Sequence, residues 1–272
     1  RWFISHWWGE PVRDFIVSVE AHAKARGLAG SEAYWVCAYA NNQWTLASEL
    51  VEDLAETSFA RAMRISMGTV SVVDSSAGCF GRIWCVYELS YSVRREDKKE
   101  FMYDIVTAKE WDRYGNTHGA VAITDGLSAR QGDAYEKLEH EKAFPLELID
   151  KGIAFKCKDG KASFEADKVR ILKAIGDGSE TLDAKVHGVV ACAALRRALE
   201  EGGTRRETFL EAVRNGKVRK LQLSLADSAA DTAETWREVV GALDATATEE
   251  LSMQTRLEEL PVSSFGRLTG LA

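Results

Sequence analysis

Short apolar runs alternate with helix-period patterns from Trp2 through Ile175, and no other feature constrains the fold of this chain as tightly. Such alternation builds a parallel sheet covered by helices on both faces. Trp2-Phe3-Ile4 reads as a first strand. Pro11 then opens a helix on which Val12, Phe15, Ile16, Val19 and Ala23 keep the i, i+3, i+4 spacing of a buried face. Gly27 and Gly30 end that helix, and Tyr34 to Ala38 reads as a second strand before a polar stretch at Asn41-Asn42-Gln43. Leu46, Leu50 and Leu54 place a stripe on a second helix, which runs on through Met63 with a break near Thr57-Ser58. Further strands are expected at Thr69 to Val73, Met102 to Val106, Ala120 to Thr124 and Ile153 to Cys157. Helices are expected over Tyr135 to Lys142 and on the face made by Val169, Leu172 and Ile175.

Gly176-Asp177-Gly178-Ser179 interrupts the pattern and divides the chain into residues 1–177 and 178–272. The second part is richer in Ala, Arg and Glu, with helices expected at Ala184 to Glu200 and Glu207 to Val213. Leu221-Gln222-Leu223-Ser224-Leu225 alternates like a strand, and Leu251-Ser252-Met253 repeats the beat about 29 residues later. A helix around Trp236, Val239 and Leu243 separates the two. A strand plus a helix at this period is the pattern of a leucine-rich repeat, and Leu257-Glu258-Glu259-Leu260 is positioned to begin another unit.

Composition narrows the function. With 46% hydrophobic and 28% charged residues, 272 residues suffice for a buried core. A net charge of -7 and a pI near 5.4 oppose a nucleic-acid surface, which needs a basic footprint. No apolar run reaches bilayer length, so no membrane partner is expected. The chain opens on Arg1-Trp2-Phe3-Ile4 without an initiator Met and reads as a piece of something longer. Five cysteines (Cys37, Cys79, Cys85, Cys157 and Cys192) form no C-x-x-C pair, which points to a reducing, cytoplasmic setting. His22, His118, His140 and His187 lack metal-ligand spacing, so no metal and no cofactor is expected. Gly176-Asp177-Gly178 follows no strand and is no dinucleotide fingerprint.

Chemistry concentrates at Trp84-Cys85-Val86-Tyr87-Glu88, which follows the Thr69 to Val73 run and a small-residue loop from Ser75 to Gly81. On a helix, Trp84 and Glu88 stand one turn apart on one face. The loop delivers that face to the carboxyl edge of the sheet, where open α/β folds bind ligands. There, an indole beside a carboxylate is equipped to hold and cleave a glycosidic bond to a cationic base.

Phe3-Ile4-Ser5-His6 at the start of a strand resembles the opening of TIR domains. Ile83-Trp84-Cys85-Val86-Tyr87-Glu88-Leu89 resembles the Trp-Cys-x-x-Glu-Leu block of the same family. Tyr34 through Gln43 is similar to the strand and Asn-Gln turn of divergent TIR-like domains, the protist and heterokaryon-incompatibility-like kind. The likeness runs in order over residues 1 to 106. It implies an α/β, flavodoxin-like fold with a parallel five-stranded sheet and helices on both faces, followed here by an α/β leucine-rich-repeat-like segment. It also implies self-association in innate immune signalling and, in some members, hydrolysis of NAD at the nicotinamide–ribose bond.

Carried onto this chain, the likeness makes Glu88 the catalytic carboxylate, with NAD or a related nucleotide as substrate. Substrate-binding positions would be Trp84, Ser5, His6, Trp7, Trp8, Gly9 and Asn42, the loop from His6 forming the wall opposite Trp84. A protein partner would occupy the repeat segment. The other reading is a non-catalytic interaction scaffold, in which Trp84 fills the core and Glu88 is a surface residue. Trp7-Trp8-Gly9-Glu10 departs from the polar first loop of many enzymatic members, and the second loop lacks the usual acidic residues. Two adjacent tryptophans cannot both point inward from an extended segment, so at least one should be exposed. The Asn41-Asn42-Gln43 stretch reads as a turn, or alternatively as amide donors to a ligand.

Overall fold

The computed structural model describes residues 1–42, 44, 53–94, 101–109, 119–123, 134–243 and 247–257. The chain divides into two units, residues 1–144 with 155–182, and residues 145–154 with 183–272.

The first unit is built on a five-stranded sheet of order β2-β1-β3-β4-β5. It begins with β1 (Trp2–His6), α1 (Val12–Ala25), β2 (Tyr34–Val36) and a short α2 (Cys37–Ala40). There follow α3 (Ser58–Ile65), β3 (Gly68–Val72), α4 (Ile83–Arg94), β4 (Met102–Ala108), β5 (Ala120–Ile123) and α5 (Ala134–Ala143). Strands β1 to β4 are parallel, but β5 runs antiparallel to β4, with Ile105 opposite Ile123 and Ala108 opposite Ala120. The sheet is therefore mostly rather than wholly parallel. Reversal at the outer strand leaves the three parallel pairings intact, because β5 pairs on one side only.

Alternation along β1 decides what each face carries. Trp2 and Ile4 join Phe15 of α1, Val70, Val72 and Val106 in one core cluster. Phe3 instead stacks on Trp35 with ring centroids 4.9 Å apart, and Trp35 meets Phe59 of α3 edge-on at 5.4 Å. Ser5 shares the Phe3 side of the strand, and His6 returns to the α1 side, 4.8 Å from the Phe15 ring.

Other expectations are corrected too. Tyr34 to Ala38 is strand only through Val36, and Cys37 opens α2. Ile153 to Cys157 is not a strand. Ile153 ends α6 (Leu146–Ile153), a helix of the second unit, and Cys157 starts a single 3-10 turn. Leu146, Leu148, Ile149 and Gly152 are buried, a helical spacing that continues straight into the apolar run and mimics a strand. On α1 the buried positions are Phe15, Ser18 and His22, whereas Val12 is 61% exposed and Ile16 half exposed. The face is rotated because His22 is anchored by polar bonds. Its Nε2 lies 2.8 Å from Asp104 Oδ2 on β4 and its Nδ1 lies 2.8 Å from the Tyr34 hydroxyl. Arg26 completes this buried network, donating from Nε to Asp104 at 2.8 Å and from a terminal nitrogen at 2.5 Å.

Of the second helix, Leu54 lies in a 3-10 turn, and the expected break occurs where Thr57 caps α3 by accepting from the Ala60 N–H at 3.3 Å. Leu46 and Leu50 lie outside the described residues, as do Gln43 and Thr124. After α6 come α7 (Glu165–Ile175), where Ile171 and Ile175 rather than Val169 are buried, and α8 (Ser179–Glu201).

In the second unit, α9 (Gly203–Gly216) leads to β6 (Lys220–Ser224), α10 (Ala233–Ala242) and β7 (Glu250–Gln254). The two strands pair in parallel with Leu221 opposite Leu251 and Leu223 opposite Met253. Trp236 of α10 is fully buried and its indole donates to Asp231 at 2.8 Å. Asp231 also accepts from Thr255 and the Arg256 N–H, tying the residues after β7 to the loop before α10. Helices α8 and α9 meet where a Cβ on Gly216 would lie 2.6 Å from the Gly188 Cα. Most of the residues expected to begin a further unit, Glu258 to Leu260, fall outside the described residues.

Candidate functional site at the carboxyl edge of the sheet

β1 and β3 end side by side, with His6 opposite Val72, and the loops that leave them form the edge. After β3, Asp74 organises the turn: its carboxylate accepts from the Gly78 N–H at 2.6 Å, the Ser76 N–H at 3.2 Å and the Ser76 hydroxyl. Ala77 adopts a left-handed conformation there, with φ 59, and a one-turn 3-10 helix brings the chain to α4.

Glu88 lies in the second turn of α4 and is 4% exposed. Its Oε2 has no hydrogen-bond partner. Burial pushes its pKa up to about 8, and hydrogen bonding from the Ser5 hydroxyl opposes only part of that shift. Three thiols surround it electrostatically. Cys37, Cys79 and Cys85 are each raised first by burial and further by the Glu88 charge, Cys37 to about 12. Such thiols are protonated and inert at neutral pH. The Cys85 thiol also donates to the His6 carbonyl at 3.6 Å, fixing α4 to the end of β1.

The structure brings Ser5 to Glu88 and holds Trp84 by other contacts. The Trp84 ring stacks on Phe59 at 5.3 Å, its Nε1 donates to Asp167 of α7 at 3.2 Å, and the Arg170 guanidinium lies 5.6 Å from its centroid. Trp8 belongs to the loop after β1. It is 55% exposed, and its Nε1 donates at 3.1 Å to the thiol of Cys37, itself beside Glu88. Trp7 is half-buried and folds back over the loop, so close that a Cβ on Gly9 or Gly78 would fall 2.3 Å or 2.7 Å from its ring. Gly9 therefore serves the packing of Trp7. Asn42 is exposed, and its side-chain oxygen accepts from the Trp44 N–H at 3.0 Å, which makes it a turn residue.

His6 is held neutral, burial lowering its pKa to about 4, and its Nδ1 is buried without a partner. The sequence singled out neither Asp74 nor Asp14, both of which flank Glu10 electrostatically. For Asp74 a signal existed in the Asp-Ser-Ser-Ala-Gly run, a turn-forming composition whose side chain caps its own loop. Among the described residues no group of three or more His, Cys, Asp or Glu side chains could hold a metal ion. Among them, too, no helix is long and apolar enough to cross a membrane. No known protein family, no curated protein and no solved structure matches this chain.

Proposed function

We propose that the first unit is a TIR-like, flavodoxin-like signalling domain that hydrolyses NAD at the nicotinamide–ribose bond when it self-associates, with Glu88 as the catalytic carboxylate. The observation that carries this reading is the unpartnered, buried Glu88 oxygen at the sheet edge that α/β folds use for ligands. An orphaned buried polar atom costs free energy, so a native fold keeps one where something else answers for it. A cationic nicotinamide ring close to Glu88 would favour its ionised form and release the proton to solvent. The carboxylate then faces the oxocarbenium-like charge that develops on the ribose as neutral nicotinamide departs. Trp8, anchored through Cys37, offers the exposed aromatic face for the base. Residues 178–272 begin a leucine-rich-repeat array in this reading, supported by the parallel pairing of β6 and β7 around α10, and would bind a protein partner.

The engagement of Trp84 with Phe59 and Asp167 favours a second reading, a non-catalytic TIR-like scaffold in which the tryptophan block is core. Incubation of a clustered sample with NAD, following nicotinamide release by chromatography, separates the two. The hydrolase reading requires turnover by the parent, rising with pH toward 8, and its loss in Glu88→Ala. Equal release from both proteins, or none from the parent, leaves the scaffold.

A further inference from the structure

In the second unit, α9 and α10 enclose a groove of about 480 Å3 that the proposed hydrolysis leaves unused. Arg206 of α9 ties its two walls together. Its Nε and one terminal nitrogen donate to Glu238 of α10 at 2.8 Å and 2.6 Å, and the same terminal nitrogen reaches the Thr235 hydroxyl at 3.0 Å. Those two charges answer each other. Glu207, Glu211 and Arg214 line the same groove, and their side chains make no hydrogen bond or ion pair among the described residues. Positions 207, 211 and 214 follow the i, i+4, i+7 stripe of one helix face, so two negative groups and then a positive one run along a single wall. The acids stand about 6 Å apart, and the whole row spans about 10 Å. Leu210, 7% exposed, lies between the two acids on that face.

The opposite wall is kept open. Gly241 stands inside α10, where alanine would favour the helix, and a Cβ built on it would meet nothing within 4 Å. Packing therefore does not require glycine there, whereas an occupant lying close to the α10 backbone does. We propose that this groove binds a free basic α-amino acid of the arginine or lysine kind. Such a ligand carries the complementary row of charges. Its side-chain cation meets Glu207, its α-ammonium meets Glu211, and its α-carboxylate meets Arg214, whose planar fork accepts a carboxylate in two parallel bonds. The aliphatic stem of the ligand spans the interval between the acids and lies over Leu210. The groove has the volume usual for a small-molecule site. A diamine would leave Arg214 unanswered, and an acidic amino acid would bring like charge against the two carboxylates.

This site does not depend on the hydrolase reading, and its test needs no nucleotide. The full chain is titrated with L-arginine and L-lysine by isothermal titration calorimetry at low salt and at two temperatures. The expected result is one saturable site with a Kd of about 1 mM or tighter for at least one of them. Agmatine, which lacks the carboxylate, and N-acetyl-L-arginine, which lacks the ammonium, should each bind about tenfold or more weakly. Arg214→Gln should weaken L-arginine by a similar factor and leave agmatine unchanged. Glu211→Gln should weaken L-arginine and leave N-acetyl-L-arginine unchanged. Gly241→Leu fills the groove without altering a charge and should abolish binding, while Glu20→Gln, exposed on the first unit, should have no effect. Circular dichroism confirms that each variant folds, and Arg214→Gln carries the test if Gly241→Leu does not. Absence of saturable binding by either amino acid up to about 10 mM overturns the proposal. So does agmatine binding as tightly as L-arginine, or full binding by a folded Gly241→Leu. L-argininamide as tight as L-arginine also overturns it, and assigns the groove to the amino-terminal residue of a peptide.

Discussion

Glu88→Gln should make the protein more stable at alkaline pH while leaving it nearly unchanged at acid pH. The carboxyl group has a pKa of about 8 in the folded state and 4.5 as a free side chain. For an acid whose folded pKa is raised, the native state holds the proton longer than the unfolded state. Stability is therefore fully present below 4.5, falls as the pH climbs through the window up to about 8, and changes no further above it. Integrating one proton across that window gives a loss of about 1 kcal/mol at pH 5 and about 4 kcal/mol at pH 8. Glutamine is nearly isosteric, carries no charge, and still accepts from Ser5, so it removes this term and little else. Urea unfolding at pH 5, 6, 7 and 8, followed by tryptophan fluorescence, measures parent and variant side by side. Taking the difference between them cancels every other titrating group, Glu10 included. A variant less stable than the parent at pH 8, or a parent-minus-variant difference that stays flat with pH, would refute the reasoning. Either result would mean that Glu88 is ionised and answered by a positive charge in the folded protein.

Two further perturbations probe the frame around the site. Asp104→Asn leaves His22 and Arg26 facing a neutral amide in a fully buried setting and should cost about 3–5 kcal/mol in urea unfolding. Burial alone would raise Asp104, but His22 and Arg26 hold it below 3.8, so the parent's advantage should fade as pH falls below that value. Gly216→Ala puts a methyl group 2.6 Å from the Gly188 Cα and 2.7 Å from the Ala184 carbonyl, where only backbone could yield. It should destabilise the second unit by about 1–3 kcal/mol, measured by thermal melting, and an unchanged midpoint would show that α8 and α9 can part freely.

Much of the element order was legible because period-2 and period-3.6 patterns are local properties of the chain. Strands at Trp2, Gly68 and Met102 were found, as was the strand–helix–strand beat from Lys220 to Gln254. The failures share a cause. Ile153 to Cys157 reads as a strand, and only the packed structure shows that Ile153 closes the helix α6, whose buried side includes Leu148 and Ile149. On α1, hydropathy chose Val12 and Ile16 for the core, while the fold buries Ser18 and His22. A histidine is cheap to bury only if a partner waits for it, and Asp104 arrives from a strand 82 residues away.

The same division holds at the edge of the sheet. Glu88 could be singled out because an aromatic and an acid one turn apart on a helix after an apolar strand form a local pattern. Its burial, its fellowship with Ser5 and Cys37, and the turning of Trp84 toward Asp167 could not be read there. They arise from contacts between segments far apart in the chain. Side-chain type and spacing are written in the sequence, so the sequence by itself determined which elements form and which residues have chemistry to offer. Dielectric surroundings and hydrogen-bond partners are set by which segments pack together, so only the tertiary structure decided which carboxyl groups are left buried, unanswered and poised for a ligand.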